Sequence, residues 1–328
     1  MIYNICGFYG YGNLGDEGIL HAIIDNIREI DKSPAFHIST TLCSHARERY
    51  ETALKTTLPE IQSIRDVYDT RSDYDVFILG GGNLNWGYGW RLALSAFASG
   101  KKSMNYGVGY APHMGTPLYT AKLNGLYREF LNQFNNVTVR DEYSSGLLRG
   151  MKVEHKLTMC PGINLTTDPQ QKLNDIENSV VVCPRYEDST EKGVPVDNAL
   201  QIDQIVSRIL AVPTFTKITL LPLALNDLEL CKAIQWDLPS KHESIIYQPT
   251  SPQAAKHAIS KAKLVISGGR YHAVLWAIAH NTPYEITQSA TRYDKVTDLI
   301  ETHKTTPSEH LQTRERTNIK LLRGIING

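Results

Sequence analysis

Short apolar runs alternate along the chain with stretches in which apolar residues return every three or four positions. The runs predict buried β-strands, and the longer stretches predict amphipathic helices. In the first half the predicted strands are Ile2–Cys6, Ala35–Thr40, Val76–Leu79, Ser103–Val108 and Val137–Arg140, with helices at Glu17–Ile30 and Leu118–Phe134. In the second half the predicted strands are Val180–Cys183, Ile218–Leu221, Ser244–Tyr247, Leu264–Ser267 and Tyr284–Thr287, with helices at Asn198–Ala211, Asp227–Trp236, Pro252–Ala262, His272–Asn281 and Arg292–Thr302.

Strict alternation of strands and helices predicts parallel sheets that are covered by helices on both faces. A proline-punctuated stretch from Cys160 to Pro169, followed by a polar run, is typical of a linker between two domains. We therefore expect an α/β protein with two Rossmann-like parallel-sheet domains that face each other across a cleft. The N-terminal domain covers 1–170 and carries the glycine-rich loops, and the C-terminal domain covers 171–306 and forms the anion-binding side. An amphipathic helix in 307–328 is placed to pack back across the junction.

Charge and composition exclude several classes of protein. The 328 residues include 34 Lys and Arg and 34 Asp and Glu, and this balance argues against a nucleic-acid partner. No apolar run is long enough to span a membrane, and the N-terminus lacks the basic start of a signal peptide. The five cysteines are scattered, and Cys43 with His45 is too small a set for zinc. We expect a cytoplasmic protein without a metal, with a loose association to the inner membrane face left open.

The loop after the first strand carries Gly10, Gly12 and Gly15 at the spacing of a dinucleotide-binding fingerprint. Two features argue against NAD. The second predicted strand ends without an acidic residue for the ribose, and Asp16 and Glu17 place two carboxylates where a pyrophosphate would bind. An NAD-dependent dehydrogenase is therefore disfavoured.

We interpret the same loop as a close approach of the backbone to a different ligand. Gly10, Gly12 and Asn13 are candidate substrate contacts, and Asp16 is a candidate general base for a hydroxyl group. The alternative is a tight turn followed by acidic capping of the next helix.

A second glycine-rich loop follows the predicted strand that ends near residue 79. Gly81, Gly82 and Asn83 let backbone amides approach a ligand without interference from side chains. Trp86 follows within a few residues, and its aromatic face suits stacking on a sugar ring. Trp90 begins a helix and fits the apolar core, and for Trp86 stacking on a ligand and a purely structural role both stay open.

Two further cations have both a functional and a structural interpretation. Arg140 ends a predicted strand and is a candidate substrate contact, but with Asp141 it also fits a self-satisfied ion pair that caps the next helix. Lys295 is a candidate cation for the cleft or an ordinary solvated lysine.

The second half carries the strongest chemical pattern. Arg185 follows the first strand of this half, and Gly269, Arg270, Tyr271 and His272 lead from another strand into an apolar helix. Glycine, arginine and histidine at a helix N-terminus favour binding of an anion. Histidine is the side chain best suited to transfer a proton near neutral pH, so His272 is a candidate proton donor, although a lone histidine is also a common structural residue.

These motifs, in this order, resemble the polysaccharide pyruvyl transferase family. Each motif is weak when taken alone, and their order and spacing make the match specific over nearly the whole chain. The residues that carry the resemblance are Gly7–Leu20, Gly80–Leu84, Gly107–Pro112, Val139–Ser144, Cys160–Pro161, Arg185, Gly269–Ala273 and Asn281–Pro283.

The resemblance implies a fold similar to that of the B-type glycosyltransferases. It also implies transfer of pyruvate from phosphoenolpyruvate to a sugar as a cyclic ketal, with release of phosphate. Arg185, Arg270 and His272 match the family positions that bind and activate the donor. Two departures, Gly18 where members usually carry alanine and the more flexible approach through Gly268 and Gly269, leave the acceptor specificity open.

The implied chemistry agrees with the residue types. Phosphoenolpyruvate carries a phosphate and a carboxylate, which suit the guanidinium groups of Arg185 and Arg270. His272 is expected to protonate C3 of the donor, and Asp16 to accept a proton from the sugar hydroxyl. No metal or organic cofactor is required. The expected partners are phosphoenolpyruvate and a sugar acceptor that is free, polymeric or lipid-linked, and the oligomeric state is left open.

Two alternative functions remain at this stage. A nucleotide-sugar-dependent glycosyltransferase shares the implied fold, and Glu285 on a second-half strand keeps an acidic ribose contact open. A non-catalytic protein that binds a glycan or a sugar phosphate would use the same cleft without releasing phosphate.

Overall fold

The computed structural model describes residues 1–80, 82–84, 89–110, 117–168, 176–186, 197–287 and 294–327, with the side chains of 83–84, 117–123 and 294–295 left out of the description. The chain divides into two compact units. Unit 1 comprises Met1–Tyr11, Ile19–Pro161 and Gln312–Gly328, and unit 2 comprises Gly12–Gly18 and Gly162–Leu311. The predicted domain boundary at 170/171 lies outside the described residues, so the domain limits stay a prediction.

Unit 1 is built on a parallel sheet. Its strands are β1 (Ile2–Cys6), β2 (Ala35–Thr40), β3 (Ile61–Asp66), β4 (Val76–Gly80), β5 (Asn83–Leu84), β6 (Lys102–Tyr110), β7 (Asn136–Val139) and β8 (Lys156–Leu157). The order across the sheet is β3-β2-β1-β4-β6-β7-β8, with β5 paired to β6. Every residue of β4 is buried, as expected for a central strand that helices cover on both sides.

The helices associated with unit 1 are α1 (Leu14–Arg28), α2 (Ser44–Thr57), α3 (Trp90–Ala98), α4 (Pro117–Leu131), α5 (Glu142–Gly150) and α11 (Ser308–Asn327). The residues of α1 up to Gly18 belong to unit 2, and α11 joins unit 1 from Gln312 onwards. Trp90 stacks on Phe130 with ring centroids 4.6 Å apart, so Trp90 is part of the apolar core as predicted.

Polar contacts attach α11 to the rest of unit 1. Glu315 has no exposed surface, and its Oε1 accepts a hydrogen bond of 3.0 Å from Asn26. The same amide of Asn26 donates to the hydroxyl of Tyr106 at 2.9 Å. At the other end of the helix, Lys102 Nζ donates to the carbonyl oxygen of Ile326 at 3.1 Å, which places a cation at the negative end of the helix dipole.

Unit 2 contains a five-stranded parallel sheet in the order β11-β10-β9-β12-β13. These strands are β9 (Val180–Cys183), β10 (Lys217–Leu220), β11 (Glu243–Ile246), β12 (Leu264–Ser267) and β13 (Tyr284–Ile286). The helices are α6 (Asn198–Leu210), α7 (Asp227–Asp237), α8 (Pro252–Ser260), α9 (Tyr271–Ala279) and α10 (Asp294–Thr305), and a 3-10 turn covers Pro161–Asn164.

Both sheets reverse their strand order at one point, between β1 and β4 in unit 1 and between β9 and β12 in unit 2. In open parallel sheets, ligands bind beyond the carboxyl ends of the strands at such a reversal. The predicted class, α/β with two parallel sheets, is confirmed. None of the helices in the described part of the chain is both long and apolar enough to cross a membrane.

Candidate functional site

Arg185 lies at the carboxyl end of β9, and a buried amide fixes its backbone. Gln201, on α6, is 1% exposed. Its Oε1 accepts from the Arg185 backbone N–H at 2.9 Å, and its Nε2 donates to the Arg185 carbonyl at 3.1 Å. Both backbone polar groups of Arg185 are therefore satisfied by one side chain. These two hydrogen bonds fix the backbone from which the Arg185 side chain extends.

Two glycines connect β12 to α9 and bring this loop close to Arg185. A Cβ on Gly268 would lie 2.2 Å from Gln201 Oε1, so a side chain there would displace the Gln201 amide from the Arg185 backbone. Gly269 has φ of +108°, a conformation that side chains rarely adopt. Its carbonyl accepts a hydrogen bond of 3.4 Å from Arg185 Nη1. The two loops at the reversal point of the sheet are thus directly linked.

Arg270 forms an ion pair with Asp227, the first residue of α7. The Arg270 side chain is 15% exposed, and the Asp227 side chain has no exposed surface. The carboxylate also accepts from the backbone N–H of Tyr186 at 2.9 Å and of Ala224 at 3.0 Å. Among the described residues, none accepts a hydrogen bond from the buried Nε of Arg270. The guanidinium is therefore held at Nη2 and keeps a further donor.

His272 is the second residue of α9 and is 8% exposed. Its ring lies edge-on to that of Tyr271, with centroids 5.3 Å apart, and tilted against that of Trp276. Gly15 leaves space for the imidazole, because a Cβ at position 15 would lie 2.1 Å from His272 Nδ1. The third glycine of the N-terminal motif therefore accommodates a histidine that lies more than 250 residues away in the chain.

The segment Gly12–Gly18 packs within unit 2 and brings Asp16 into the same unit as His272. Leu14 N–H donates to the carbonyl of Leu223 at 2.8 Å, which ties the start of α1 to the loop after β10. Asn13 caps α1, since its Oδ1 accepts from the Gly15 N–H at 3.1 Å. Its Nδ2 donates to Asp16 Oδ2 at 2.7 Å.

The structure therefore gathers seven of the predicted site residues in unit 2, together with Gly12, whose φ is +71°. They are Asn13, Asp16, Arg185, Gly269, Arg270, Tyr271 and His272. Two guanidiniums, an imidazole and the N-terminus of α9 favour an anionic ligand. A carboxylate, Asp16, is located in the first turn of α1, at 7% exposure.

Four other predicted residues belong to unit 1. Gly10 and Gly82 have positive φ angles of +85° and +61°, so both are required by the local backbone. Asn83 lies in β5 and pairs with the backbone of β6. Arg140 Nε lies 3.6 Å from Asp141 Oδ2, and Asp141 caps α5 by accepting from Ser144 N–H at 2.7 Å. This geometry agrees with the interpretation of Arg140 as a capping ion pair.

Three predicted contacts fall outside the description. Gly81 and Trp86 lie outside the described residues, and Lys295 lies in α10 with its side chain outside the description. Glu285, the residue that kept an acidic ribose contact open, accepts two hydrogen bonds from Arg208, at 2.5 and 2.6 Å. A ribose at this position would have to compete with that pair.

Asp227 and Gln201 were not identified from the sequence as site residues. Asp227 begins a predicted helix and Gln201 falls within another, which are ordinary positions for a capping acid and a polar residue. Their complete burial is the signal that distinguishes them. Within the residues that the structure describes, no group of three or more His, Cys, Asp or Glu side chains is arranged to hold a metal ion.

Comparison with known proteins gives one family match and several matches in fold. The family model for polysaccharide pyruvyl transferase matches residues 13–283. No significant match was found among curated proteins.

UDP-GlcNAc 2-epimerase from Neisseria meningitidis, solved bound to UDP-GlcNAc, is 12% identical with a TM-score of 0.58, and 100% of each chain is covered. The enzyme from Methanocaldococcus jannaschii, in complex with UDP-GlcNAc and UDP, is 11% identical with a TM-score of 0.55, covering 100% of this chain and 93% of that one. The S. aureus MnaA–UDP co-structure is 12% identical with a TM-score of 0.52, covering 96% and 90%. At these identities the similarity concerns the fold alone.

Proposed function

Because the chain belongs to the polysaccharide pyruvyl transferase family, we propose that it moves pyruvate from phosphoenolpyruvate onto two hydroxyls of one sugar residue. The product is a cyclic ketal, and phosphate is released. The family makes the chain a transferase of polysaccharide synthesis. The donor and the ketal chemistry are the proposal.

One observation carries the choice of donor. Arg185 and Arg270 lie at the carboxyl ends of β9 and β12, with the carbonyl of Gly269 linked to Arg185 at 3.4 Å. Phosphoenolpyruvate is small and carries two anionic groups, so it requires two cationic or amide-rich contacts near each other. A guanidinium suits a carboxylate or a phosphate because it offers paired donors.

The proposed reaction starts with a proton transfer from His272 to C3 of the donor. The C3 methylene becomes a methyl group, and C2 becomes electrophilic. The first sugar hydroxyl attacks C2 and loses its proton, the C2–O bond to phosphate breaks, and the second hydroxyl then closes the ring and loses its proton. One of these two protons restores the imidazolium, and the other leaves with phosphate. No oxidant or reductant is needed.

Asp16 is proposed as the base that takes a proton from an acceptor hydroxyl and passes it to the departing phosphate, so that it ends the cycle as a carboxylate. Its Oδ2 is oriented by the 2.7 Å hydrogen bond from Asn13, and it belongs to the same unit as His272. A positioned acid or base contributes typically about 10²–10⁴-fold to a rate. Two such groups of opposite role fit a reaction that protonates carbon and deprotonates oxygen.

The direct test is phosphate release from phosphoenolpyruvate in the presence of galactose-, glucose- and mannose-type acceptors. We expect acceptor-dependent release by the wild type, and a loss of about 10²–10⁴-fold in turnover for His272→Asn. His280→Asn is the matched control, since His280 directly follows the same helix and is exposed. Its turnover should stay within twofold of the wild type.

A binding measurement separates this proposal from the nucleotide-sugar alternative. A ligand that binds only the folded state raises the midpoint of thermal unfolding. We expect phosphoenolpyruvate to raise it in the wild type and in His272→Asn, because the asparagine removes the proton and leaves the arginines. Stabilisation by UDP without stabilisation by phosphoenolpyruvate would contradict the proposal.

A further inference from the structure

Two large aromatic side chains stack on each other in solvent directly after β1. The rings of Phe8 and Tyr11 have centroids 4.1 Å apart and planes within 6° of parallel. Phe8 is 44% exposed and Tyr11 is 37% exposed. Single exposed apolar residues are common on protein surfaces, but a stacked aromatic pair at the end of a buried strand is a distinct feature.

The backbone that carries this pair is fixed on both sides. Tyr9, between the two rings in sequence, is fully buried, and its hydroxyl donates to the carbonyl of Gly80 at 2.9 Å. Thr40 Oγ1 donates to the carbonyl of Tyr9 at 2.7 Å. Leu42 fills the space beside Gly10, where a Cβ would lie 2.3 Å from its Cδ1. Binding a ligand to the Phe8–Tyr11 pair would therefore cost little conformational entropy in the loop.

The pair lies where a ligand of this sheet is expected. It follows the carboxyl end of β1, next to β4, at the reversal of strand order in unit 1. The hydroxyl of Tyr11 hydrogen-bonds the hydroxyl of Thr41, which follows β2 and is exposed. Two hydroxyls thus lie at the edge of the aromatic surface. Aromatic faces bordered by hydroxyls match a pyranose, which has an apolar face of C–H groups and a rim of hydroxyl groups.

We propose that Phe8 and Tyr11 form the platform on which one hexose ring of the glycan acceptor stacks. Because the two rings are stacked, the pair offers the outer face of one ring, which is about the size of one sugar, whereas a stable protein interface needs about 800 Å² on each partner. The inference rests on the proposed function for the class of acceptor. It adds binding residues that belong to unit 1, whereas the predicted donor residues belong to unit 2.

The test measures sugar binding in the absence of phosphoenolpyruvate. Saturation-transfer NMR is recorded with the methyl glycosides of galactose, glucose and mannose on the wild type, Phe8→Ala and Tyr11→Ala. We expect transfer to the C–H groups of one sugar face in the wild type, and affinity weakened about three- to tenfold in each alanine variant. Tyr11→Phe keeps the ring and should keep the transfer to that face. Trp236→Ala is the control, because Trp236 is 87% exposed in unit 2.

The outcomes separate this inference from the proposed function. Equal binding by the wild type and both alanine variants, or no binding of any of the three sugars by the wild type, overturns the platform. A loss in Trp236→Ala as large as in Phe8→Ala also overturns it, because the effect would then be unspecific. Sugar binding that depends on Phe8 and Tyr11, in a protein that releases no phosphate from phosphoenolpyruvate, supports the platform and contradicts the pyruvyl transfer.

Discussion

The guanidinium of Arg270 donates through Nη2 to Oδ1 of Asp227, a carboxylate without exposed surface. The same carboxylate accepts backbone hydrogen bonds from Tyr186 and Ala224, so it joins the loops that follow β9 and β10 to the arginine that directly precedes α9. A buried carboxylate of this kind requires several donors to offset its lost hydration. The Asp227 carboxylate in turn orients the Arg270 side chain.

Asp227→Asn tests this relationship. The amide removes the charge partner of Arg270 and presents its own N–H groups to donors, so we expect the free energy of unfolding to fall by roughly 3 kcal/mol. In addition, KM for phosphoenolpyruvate should rise at least about tenfold, because Arg270 is no longer held. Steady-state phosphate release and urea unfolding measure the two effects.

Glu285→Gln is the matched control, since it breaks an arginine–carboxylate pair in the same unit whose side chains are 37% and 38% exposed. Its cost should stay below about 1 kcal/mol, with KM unchanged. A Glu285→Gln variant with the same rise in KM would show that the effect at Asp227 is not local to the site.

Gly15→Ala should disturb the imidazole of His272. The new Cβ would lie 2.1 Å from Nδ1, so the ring or the start of α1 must move. We expect turnover to fall about 10²-fold or more, since the proton donor is displaced. Phosphate release gives the turnover, and the imidazole resonances in NMR spectra report the displacement.

Gly146→Ala serves as the comparison for Gly15→Ala. Gly146 lies in α5, and a Cβ there meets no atom within 4 Å. Alanine should stabilise this helix by up to about 1 kcal/mol and leave turnover unchanged. Unchanged turnover in Gly15→Ala would contradict a role for His272 in its present position.

Gln201→Leu should loosen Arg185. It removes the two hydrogen bonds to the partly buried backbone N–H and carbonyl of Arg185, at a cost of roughly 1–3 kcal/mol. We expect KM for phosphoenolpyruvate to rise while kcat at saturation changes less, because the proton donor is untouched. Gln235→Leu is the control. It removes a side-chain amide that donates a hydrogen bond to the Ser244 carbonyl, and it should not change KM for phosphoenolpyruvate.

A pH effect on stability is expected from His21, a buried residue of α1. Burial, assisted by the charge of Arg28, lowers the pKa of His21 from 6.5 to about 4. Between these values the unfolded chain binds a proton that the folded chain excludes, so stability is full above pH 6.5 and is lost as the pH falls towards 4. The contribution is at most about 3 kcal/mol.

Urea unfolding at pH 7 and pH 5 measures this contribution. The fall in the free energy of unfolding from pH 7 to pH 5 should be smaller in His21→Gln than in the wild type. In His45→Gln it should equal that of the wild type, since His45 is exposed. If the free energy of unfolding fell equally between pH 7 and pH 5 in the wild type and in His21→Gln, the assignment to His21 would be contradicted.

Strands with strong apolar runs were predicted close to their observed limits, as at Ile2–Cys6 and Val180–Cys183. The helix α2 and the strand β3 were missed. Only Leu54 is buried in α2, so no apolar face marks it, and polar residues interrupt β3. Periodicity detects an element through the surface that it buries, and α2 buries little.

The sequence predicts which residues act together on the ligand, and it does not predict the contacts that hold them. Arg185, Arg270 and His272 are recognisable because they follow strands and glycines. The contacts of Asp227 with Arg270 and of Gln201 with Arg185 join residues 43 and 16 positions apart, and they depend on the parallel order of β9, β10 and β12. Likewise, a histidine packed on Gly15 could not be inferred from a spacing that also fits a nucleotide loop.

The course of the chain between the units has a consequence for biosynthesis. Unit 1 includes Gln312–Gly328, and the buried contact of Glu315 with Asn26 joins this late segment to the first helix. During translation, the ribosome must therefore produce all of Gly162–Leu311 before the first sheet receives its final helix. While the second sheet is being synthesised, the first sheet lacks α11 and its apolar surface is incompletely covered. Chaperone binding should matter most during this interval.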